Sequence, residues 1–264
     1  MTTFTKEEVV LQAKNINLSY DGKCILRDIN FEIKNIIRPG LKQGQVISLI
    51  GRSGIGKTQL FKVLSGLQQP TSGEILIHKN RKVRPGDMGV IFQNYYLFEW
   101  RTVQTSLMLA AQKNTLLRGK EKETIKQYAE GFTLSEQLHK YPHQLSGGQR
   151  QRVSIIQQLL KGSDFLLLDE PFSGLDVLVL DKVVDLLLQV SVSDELKTLI
   201  IVSHDIATSV AISDTVFILG QEKGKEGSTI VSEIDLIERE LAWEKDIKTK
   251  KTFAETIEEI KQCL

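Results

Sequence analysis

The sequence predicts an α/β fold built on a parallel sheet, and two observations support this prediction. Short apolar runs of the kind that form buried parallel strands occur at Val46 to Ile50, Phe165 to Leu168, Thr198 to Val202 and Val216 to Leu219. Stretches with helical spacing separate these runs, notably Leu178 to Val190. Strands that alternate with helices are typical of a parallel sheet with helices on its faces.

The N-terminal part of the chain predicts a second, smaller β-structure. Apolar and polar residues alternate roughly at Val9 to Lys14, Ile16 to Tyr20 and Ile25 to Ile33, which indicates strands, and Asp21-Gly22 is a turn signal. We expect these strands to form an antiparallel β-subdomain. The stretch Ile36 to Gln45 contains one proline and two glycines and is predicted to be a loop.

Two further segments are predicted to be helical. Helical spacing dominates Thr105 to Tyr128, within an inserted helical subdomain at 94–161. The charged tail, 232–264, is expected to be a helical extension that either packs against its own domain or makes a dimer or regulatory contact. Its apolar residues recur at helix-like intervals: Ile234, Ile237, Leu241 and Trp243. The main domain is therefore predicted to span 1–231.

Composition and charge argue against several classes of function. The 264 residues include 34 basic and 33 acidic ones, and the formal net charge is +1, so no overall charge attracts nucleic acid or an anionic membrane. Cys24 and Cys263 have no CxxC or histidine neighbour, and no metal site is expected at them. No uncharged apolar stretch reaches the ~18 to 20 residues that span a bilayer. We expect a chain that is soluble by itself and that, if it acts at a membrane, is held there by another chain.

A glycine-rich loop after the first buried strand matches the phosphate-binding pattern of nucleotide-binding proteins. Its glycines allow backbone N–H groups to turn toward phosphate oxygens, and a helix predicted from Lys57 to Leu64 points its positive end at them. Lys57 is placed to reach the β- and γ-phosphates, and Thr58 to ligate Mg²⁺. We expect this loop to bind ATP with magnesium through Gly51, Arg52, Ser53, Gly54, Ile55, Gly56, Lys57 and Thr58.

A pair of carboxylates supplies the second part of the expected site. Asp169 and Glu170 follow the apolar strand Phe165 to Leu168, at the sheet edge where open α/β sheets bind their ligands. Asp169 is suited to hold Mg²⁺, and Glu170 is suited to orient or deprotonate the attacking water. His204 follows another core strand and is predicted to contact the γ-phosphate.

Several motifs, taken in order, resemble those of the ATP-binding cassette (ABC) ATPases. Leu145-Ser146-Gly147-Gly148-Gln149 reads LSGGQ, the signature sequence of that family, and it lies upstream of the acidic pair at the family's spacing. The resemblance covers about Val9 to Gly220 and implies the P-loop (RecA-like) form of the α/β fold. It also implies roles for single residues. Gln93 looks like the Q-loop glutamine, Asp176 like the D-loop aspartate, His204 like the switch histidine and Tyr20 like the aromatic that stacks on adenine.

The resemblance implies a composite site between two subunits. In this family two cassettes pair head to tail, and the signature of one closes over ATP held by the phosphate loop of the other. The second subunit would contribute Ser146, Gly147, Gly148, Gln149 and Asp176. The first of these residues lie at the start of a predicted helix, which is a second anion-binding helix end. Gln93 would sense Mg²⁺ or the attacking water.

The resemblance also implies partners and a location. One expected partner is a second copy of the chain, and a heterodimer with a sibling cassette stays open. The region after Gln93 would contact integral membrane permease subunits, with the protein in the cytoplasm on the inner face of the cell membrane. A solute-binding protein is expected on the far side, and nucleic acid is not an expected partner. Tyr96 to Val103 resembles the LLPWRTV stretch of importer ATPases for nitrate, sulfonate and taurine, with Glu99 in place of proline. An importer of a small solute is expected, and an anionic solute is one candidate.

Two other interpretations stay open. One is a soluble ABC ATPase of translation or DNA maintenance, although the interval from Thr58 to Asp169 is short and holds no heptad array. The other is a nucleotide-gated scaffold that hydrolyses little, although Glu170 and His204 are both present. Departures from the family pattern at Gln45 and after the signature touch no position that contacts phosphate.

Overall fold

The computed structural model describes residues 4–37, 44–78, 80–172, 198–242, 244 and 246–264. The strands in these ranges are β1 (Thr5–Tyr20), β2 (Lys23–Ile37), β3 (Gln45–Ile50), β4 (Ser72–Ile77), β5 (Arg81–Lys82), β6 (Gly89–Ile91), β7 (Phe165–Asp169), β8 (Thr198–Ser203), β9 (Thr215–Gly220) and β10 (Thr229–Asp235). The helices are α1 (Lys57–Leu64), α2 (Val103–Ala111), α3 (Glu121–Gly131), α4 (Gly147–Lys161), α5 (Ile206–Ile212) and α6 (Lys251–Cys263). The expectations for Leu178 to Val190, Asp176 and Trp243 concern residues outside these ranges.

A six-stranded sheet in the order β10-β9-β3-β8-β7-β6 forms the centre of the fold. Its strands pair in parallel from β9 to β6, and β10 pairs antiparallel with β9. Every residue of β3, β7, β8 and β9 is buried, which explains why the sequence of these strands is so continuously apolar. The predicted α/β fold is confirmed. The loops after β3, β7 and β8 meet at one edge of this sheet, because parallel strands end on the same side.

A second sheet, in the order β2-β1-β4-β5, is antiparallel, as predicted. The prediction of two strands before Tyr20 is wrong, because β1 is continuous. The register of β1 against β2 shifts between Ala13 and Ile16, where Asn15 has a φ of 48°, and this shift explains why apolar and polar residues stop alternating there. The predicted loop Ile36 to Gln45 is too long at both ends, since β2 runs to Ile37 and β3 begins at Gln45.

The region 94–161 contains α2, α3 and α4, which share one apolar cluster that includes Leu107, Ile125 and Ile155. The helical stretch predicted for Thr105 to Tyr128 is interrupted, because α2 ends at Ala111 and a 3-10 turn at Thr115–Leu117 precedes α3. No helix in the described ranges combines the length and the apolar character needed to cross a bilayer.

The tail is only partly helical, which corrects the expectation for its first residues. Residues 232–235 belong to β10, where pairing with β9 buries Ile234 and satisfies the backbone. The helix α6 begins later, at Lys251, and buries Phe253 and Ile260 in a cluster with residues of the central sheet. Arg239 donates two hydrogen bonds to the Glu259 carboxylate, at 2.6 and 2.9 Å. The tail therefore packs against its own domain.

Candidate nucleotide-binding site

The phosphate loop connects β3 to α1 in a conformation that requires glycine. Gly54 and Gly56 have φ values of 80° and 105°. A Cβ atom on Gly51 would lie 2.8 Å from the Ile55 side chain and 2.9 Å from the Leu219 carbonyl oxygen, so the loop passes β9 closely. The N-cap residue of α1 is Gly56, which has no side chain to cap the helix, so the first amides of α1 can face an anion.

Lys57 brings a buried positive charge to the centre of the loop. The residue is 8% exposed. Its Nζ donates hydrogen bonds to the carbonyl oxygens of Gly51 at 2.9 Å and of Arg52 at 3.2 Å. The same Nζ lies 3.5 Å from Oε1 of Glu170. The lysine thus joins the phosphate loop to the acidic end of β7.

Asp169, the last residue of β7, has the features of a ligand for a hard cation. Its Oδ1 is buried and has no hydrogen-bond partner in the described part of the chain, and its carboxylate accepts a hydrogen bond from Thr58. Burial raises the pKa of Asp169, the negative charge of Glu170 raises it further, and the Thr58 hydrogen bond opposes the shift. An orphan carboxylate oxygen beside a hydroxyl fits Mg²⁺. The described ranges hold no cluster of three His, Cys, Asp or Glu residues for a metal, so phosphate oxygens and water would complete the coordination.

Glu170 contacts the residues that end the neighbouring strand. Its backbone is left-handed, with a φ of 50°. Oε2 lies 2.8 Å from Nδ1 of His204 and accepts hydrogen bonds from the His204 backbone N–H at 3.3 Å and from the Ser203 hydroxyl at 3.4 Å. Two residues that the sequence predicts for the site, Glu170 and His204, are therefore in direct contact, while Oε1 faces Lys57.

The other residues predicted to bind ATP around the phosphate loop lie at the rim of the site. Tyr20, at the end of β1, is 40% exposed and donates a hydrogen bond from its hydroxyl to Oε1 of Gln59 at 3.1 Å. Gln93 is exposed two residues after β6, and Arg52 and Ser53 are exposed in the loop. Ile55 is half-buried and packs against the main core cluster.

The signature sequence caps the helix α4. The Ser146 hydroxyl accepts a hydrogen bond from the Gln149 backbone N–H at 3.3 Å, and the Gln149 side chain accepts one from the Ser146 N–H at 3.0 Å. Ser146 and Gly147 are exposed, and Gly148 is half-buried. Within the described ranges no hydrogen bond or ion pair joins 145–149 to the phosphate loop of the same chain. Asp176, the last predicted contributor, lies outside those ranges.

Two residues of the site were not predicted from the sequence. Ser203 is fully buried, and its hydroxyl donates to Glu170 and accepts from the Asp205 N–H. It ends the strand that leads to His204, and this position is a signal that could have identified it. Gln59, the partner of Tyr20, lies on α1 two residues after Lys57, and no motif marks it.

The fold and this geometry define an α/β nucleotide-binding protein with a phosphate loop, an acidic strand end and a second exposed helix start. Comparison with known proteins identifies the family. The ABC transporter family matches residues 35–173, just over half of the chain. The chain therefore belongs to the ABC transporter family, whose ATP-binding proteins are ATPases. The resemblance stated from the motifs is confirmed.

The relatives include transport proteins for small anions. A bicarbonate transport ATP-binding protein of Synechococcus elongatus is 37% identical over 201 residues, which cover 74% of this chain and 30% of that protein. A nitrate transport protein of Klebsiella oxytoca is 34% identical over 198 residues, which cover 74% of this chain and 72% of that protein. The chain thus spans about a third of the length of the bicarbonate relative.

A solved structure agrees over most of the chain. It is an ATP-binding cassette, determined as a dimer in a post-hydrolysis state with ADP and Pi bound. The TM-score is 0.68 at 25% sequence identity, and the alignment covers 86% of this chain and 98% of that one.

Proposed function

We propose that this chain is the ATP-binding and ATP-hydrolysing subunit of an ABC importer. The observation that carries the proposal is the position of the Glu170 carboxylate, 3.5 Å from Lys57 and 2.8 Å from His204. A carboxylate held there stands next to the phosphate loop, where a water that attacks the γ-phosphate must be activated.

The phosphate loop binds the ATP phosphates through its backbone amides and Lys57. An incoming phosphate competes with the carbonyl oxygens of Gly51 and Arg52 for the Lys57 ammonium, because the ammonium is attracted more strongly to a charged phosphate oxygen than to a neutral carbonyl oxygen. Tyr20 stacks on the adenine ring. Thr58 and Asp169 hold Mg²⁺, which when bound neutralises charge on the phosphates.

Glu170 and His204 act together on the reacting groups. Glu170 orients the attacking water and takes its proton. Hydrogen bonds from Ser203 and from the His204 backbone hold its carboxylate in place for this role. His204 contacts the γ-phosphate. Gln93, on the segment that follows β6, contacts Mg²⁺ or the water and links the site to the helical region.

The working site forms between two copies of the chain. The phosphate loop of one copy faces the signature of the other, which contributes Ser146, Gly147, Gly148, Gln149 and Asp176. The exposed, capped start of α4 supports this arrangement, because a helix N-terminus is suited to bind an anion and its own phosphate loop makes no hydrogen bond to it in the described ranges. The dimer of the related cassette with ADP and Pi supports it as well.

Closure of this dimer drives a membrane permease. The helical region 94–161 contacts the permease subunits on the inner face of the cell membrane, and a solute-binding protein delivers a small, anionic solute on the far side. The names of the bicarbonate and nitrate relatives support this class of solute.

The replacement Glu170→Gln tests the proposal. Gln keeps the size of the side chain and removes the base, so ATP hydrolysis should fall by roughly two orders of magnitude or more. ATP binding should persist, and an ATP-bound dimer should accumulate in size-exclusion chromatography. Glu123→Gln, at an exposed position of α3, is the matched control and should keep the wild-type rate. Unchanged turnover in Glu170→Gln would remove Glu170 from this role.

A further inference from the structure

The backbone of Glu170 is held in an unfavourable conformation. Its φ of 50° lies in the left-handed region, which residues other than glycine rarely adopt. The next residue is Pro171, and proline favours an extended backbone in the residue before it. A conformation that is disfavoured on both counts persists only where neighbouring groups fix it.

One hydrogen bond fixes the chain on each side of this residue. Before it, the Glu170 N–H donates to the Val202 carbonyl oxygen at 2.8 Å and continues the pairing of β7 with β8. After it, the Gln151 side chain donates from Nε2 to the Pro171 carbonyl oxygen, also at 2.8 Å. Gln151 is 1% exposed, so water does not compete for this bond.

The source of the second hydrogen bond is the helix that begins at the signature. Gln151 lies in the second turn of α4, whose N-cap is Ser146. Pro171 has no backbone N–H, so its carbonyl is the one main-chain group through which this residue can be held by a hydrogen bond. A buried donor at that carbonyl therefore restrains the Pro171–Phe172 peptide. Because the ring of Pro171 fixes its φ, this restraint also limits the conformations open to the Glu170 backbone.

We infer that Gln151 is a positioning residue for the general base. Its hydrogen bond to Pro171 keeps the Glu170 backbone in the conformation that aims the carboxylate at Lys57 and His204. It also ties the helix that starts at the signature to the backbone of the catalytic glutamate of the same chain. The inference rests on the proposed role of Glu170 in hydrolysis.

The replacement Gln151→Met tests this role, because methionine has nearly the length of glutamine and donates no hydrogen bond. The kcat for ATP should fall by about ten- to a hundredfold, the range that follows from a small misplacement of a catalytic group. The KM and the affinity for a fluorescent ATP analogue should stay within about twofold, because Lys57 and the phosphate loop are unchanged. Gln157→Met, at a half-buried position of the same helix, is the matched control and should keep the wild-type kcat.

A second measurement does not depend on turnover. Hydrogen exchange at the Glu170 amide should be faster in Gln151→Met than in the wild type and in Gln157→Met, since one restraint on the strained Glu170 backbone is lost. Unchanged exchange at this amide overturns the inference. The inference is also overturned if the fall in kcat is accompanied by a comparable fold-loss of ATP affinity and by a lower melting temperature. Gln151 would then act on the whole domain and not on Glu170. A wild-type protein without ATP hydrolysis contradicts the proposed function, and the exchange measurement alone then decides the role of Gln151.

Discussion

At the scale of single residues, the site places two adjacent carboxylates in different surroundings. Asp169 is 8% exposed and leaves Oδ1 without a partner in the described ranges, whereas Glu170 is surrounded by hydrogen-bond donors and Lys57. The sequence predicts both residues, because an acidic pair directly after an apolar strand is a local pattern. It does not predict the left-handed Glu170 or the support from Ser203, because both depend on β8 lying next to β7.

The raised pKa of Asp169 gives a prediction about pH and stability. A carboxyl whose pKa is higher in the folded than in the unfolded state stabilises the fold at low pH, and this stabilisation is lost as the pH rises through the folded-state pKa. Without Mg²⁺, Asp169→Asn should therefore raise the melting temperature at neutral pH, and the gain should shrink as the pH is lowered.

With Mg²⁺ and ATP the wild type should have the higher melting temperature, because it gains stability from the bound ion and Asp169→Asn does not. Asp21→Asn, in the exposed turn after β1, is the control and should melt like the wild type under all these conditions. Thermal denaturation over a pH series measures the effect. A lower melting temperature of Asp169→Asn at neutral pH without Mg²⁺ would contradict the account of this carboxyl.

At the scale of elements, the sequence predicts the helices and strands with a strong local signal and misplaces those whose limits depend on pairing. The helix α1 is predicted at its observed limits, since it follows a loop with a strong motif. The start of the tail was predicted to be helical, because Ile234 and Ile237 are also spaced like residues on one face of a helix. Pairing with β9 decides between the two structures, and this pairing is not visible in the local sequence.

The packing of α6 gives a prediction at this scale. Ile260 is fully buried in the cluster between α6 and the central sheet. Ile260→Ala should lower the free energy of unfolding by about 2–5 kcal/mol, the usual cost of a large-to-small replacement in a core. Lys261→Ala, at the next and exposed position, should change it by less than about 0.5 kcal/mol. Urea denaturation measures both, and equal effects of the two replacements would show that α6 is not part of the folded core.

At the scale of the whole molecule, the alternation of strands and helices predicts the α/β class but not the order of the strands. The order β10-β9-β3-β8-β7-β6 brings the ends of β3, β7 and β8 together, and this contact forms the site from segments far apart in the chain. The separation of the signature from the phosphate loop is also a property of the whole fold. The sequence alone predicted it through the resemblance to a family and not through spacing.

Each ATP site is proposed to need two copies of the chain, and mixing two variants that are inactive alone tests this composite site. Lys57→Ala removes the phosphate loop's charge, and Ser146→Asp keeps a good helix cap while it places a negative charge opposite the phosphates. Each variant alone should hydrolyse almost no ATP. An equimolar mixture should recover roughly a quarter of the wild-type rate, because half of the randomly formed dimers contain one intact site and independent sites contribute additively. A mixture as inactive as either variant alone would contradict the claim.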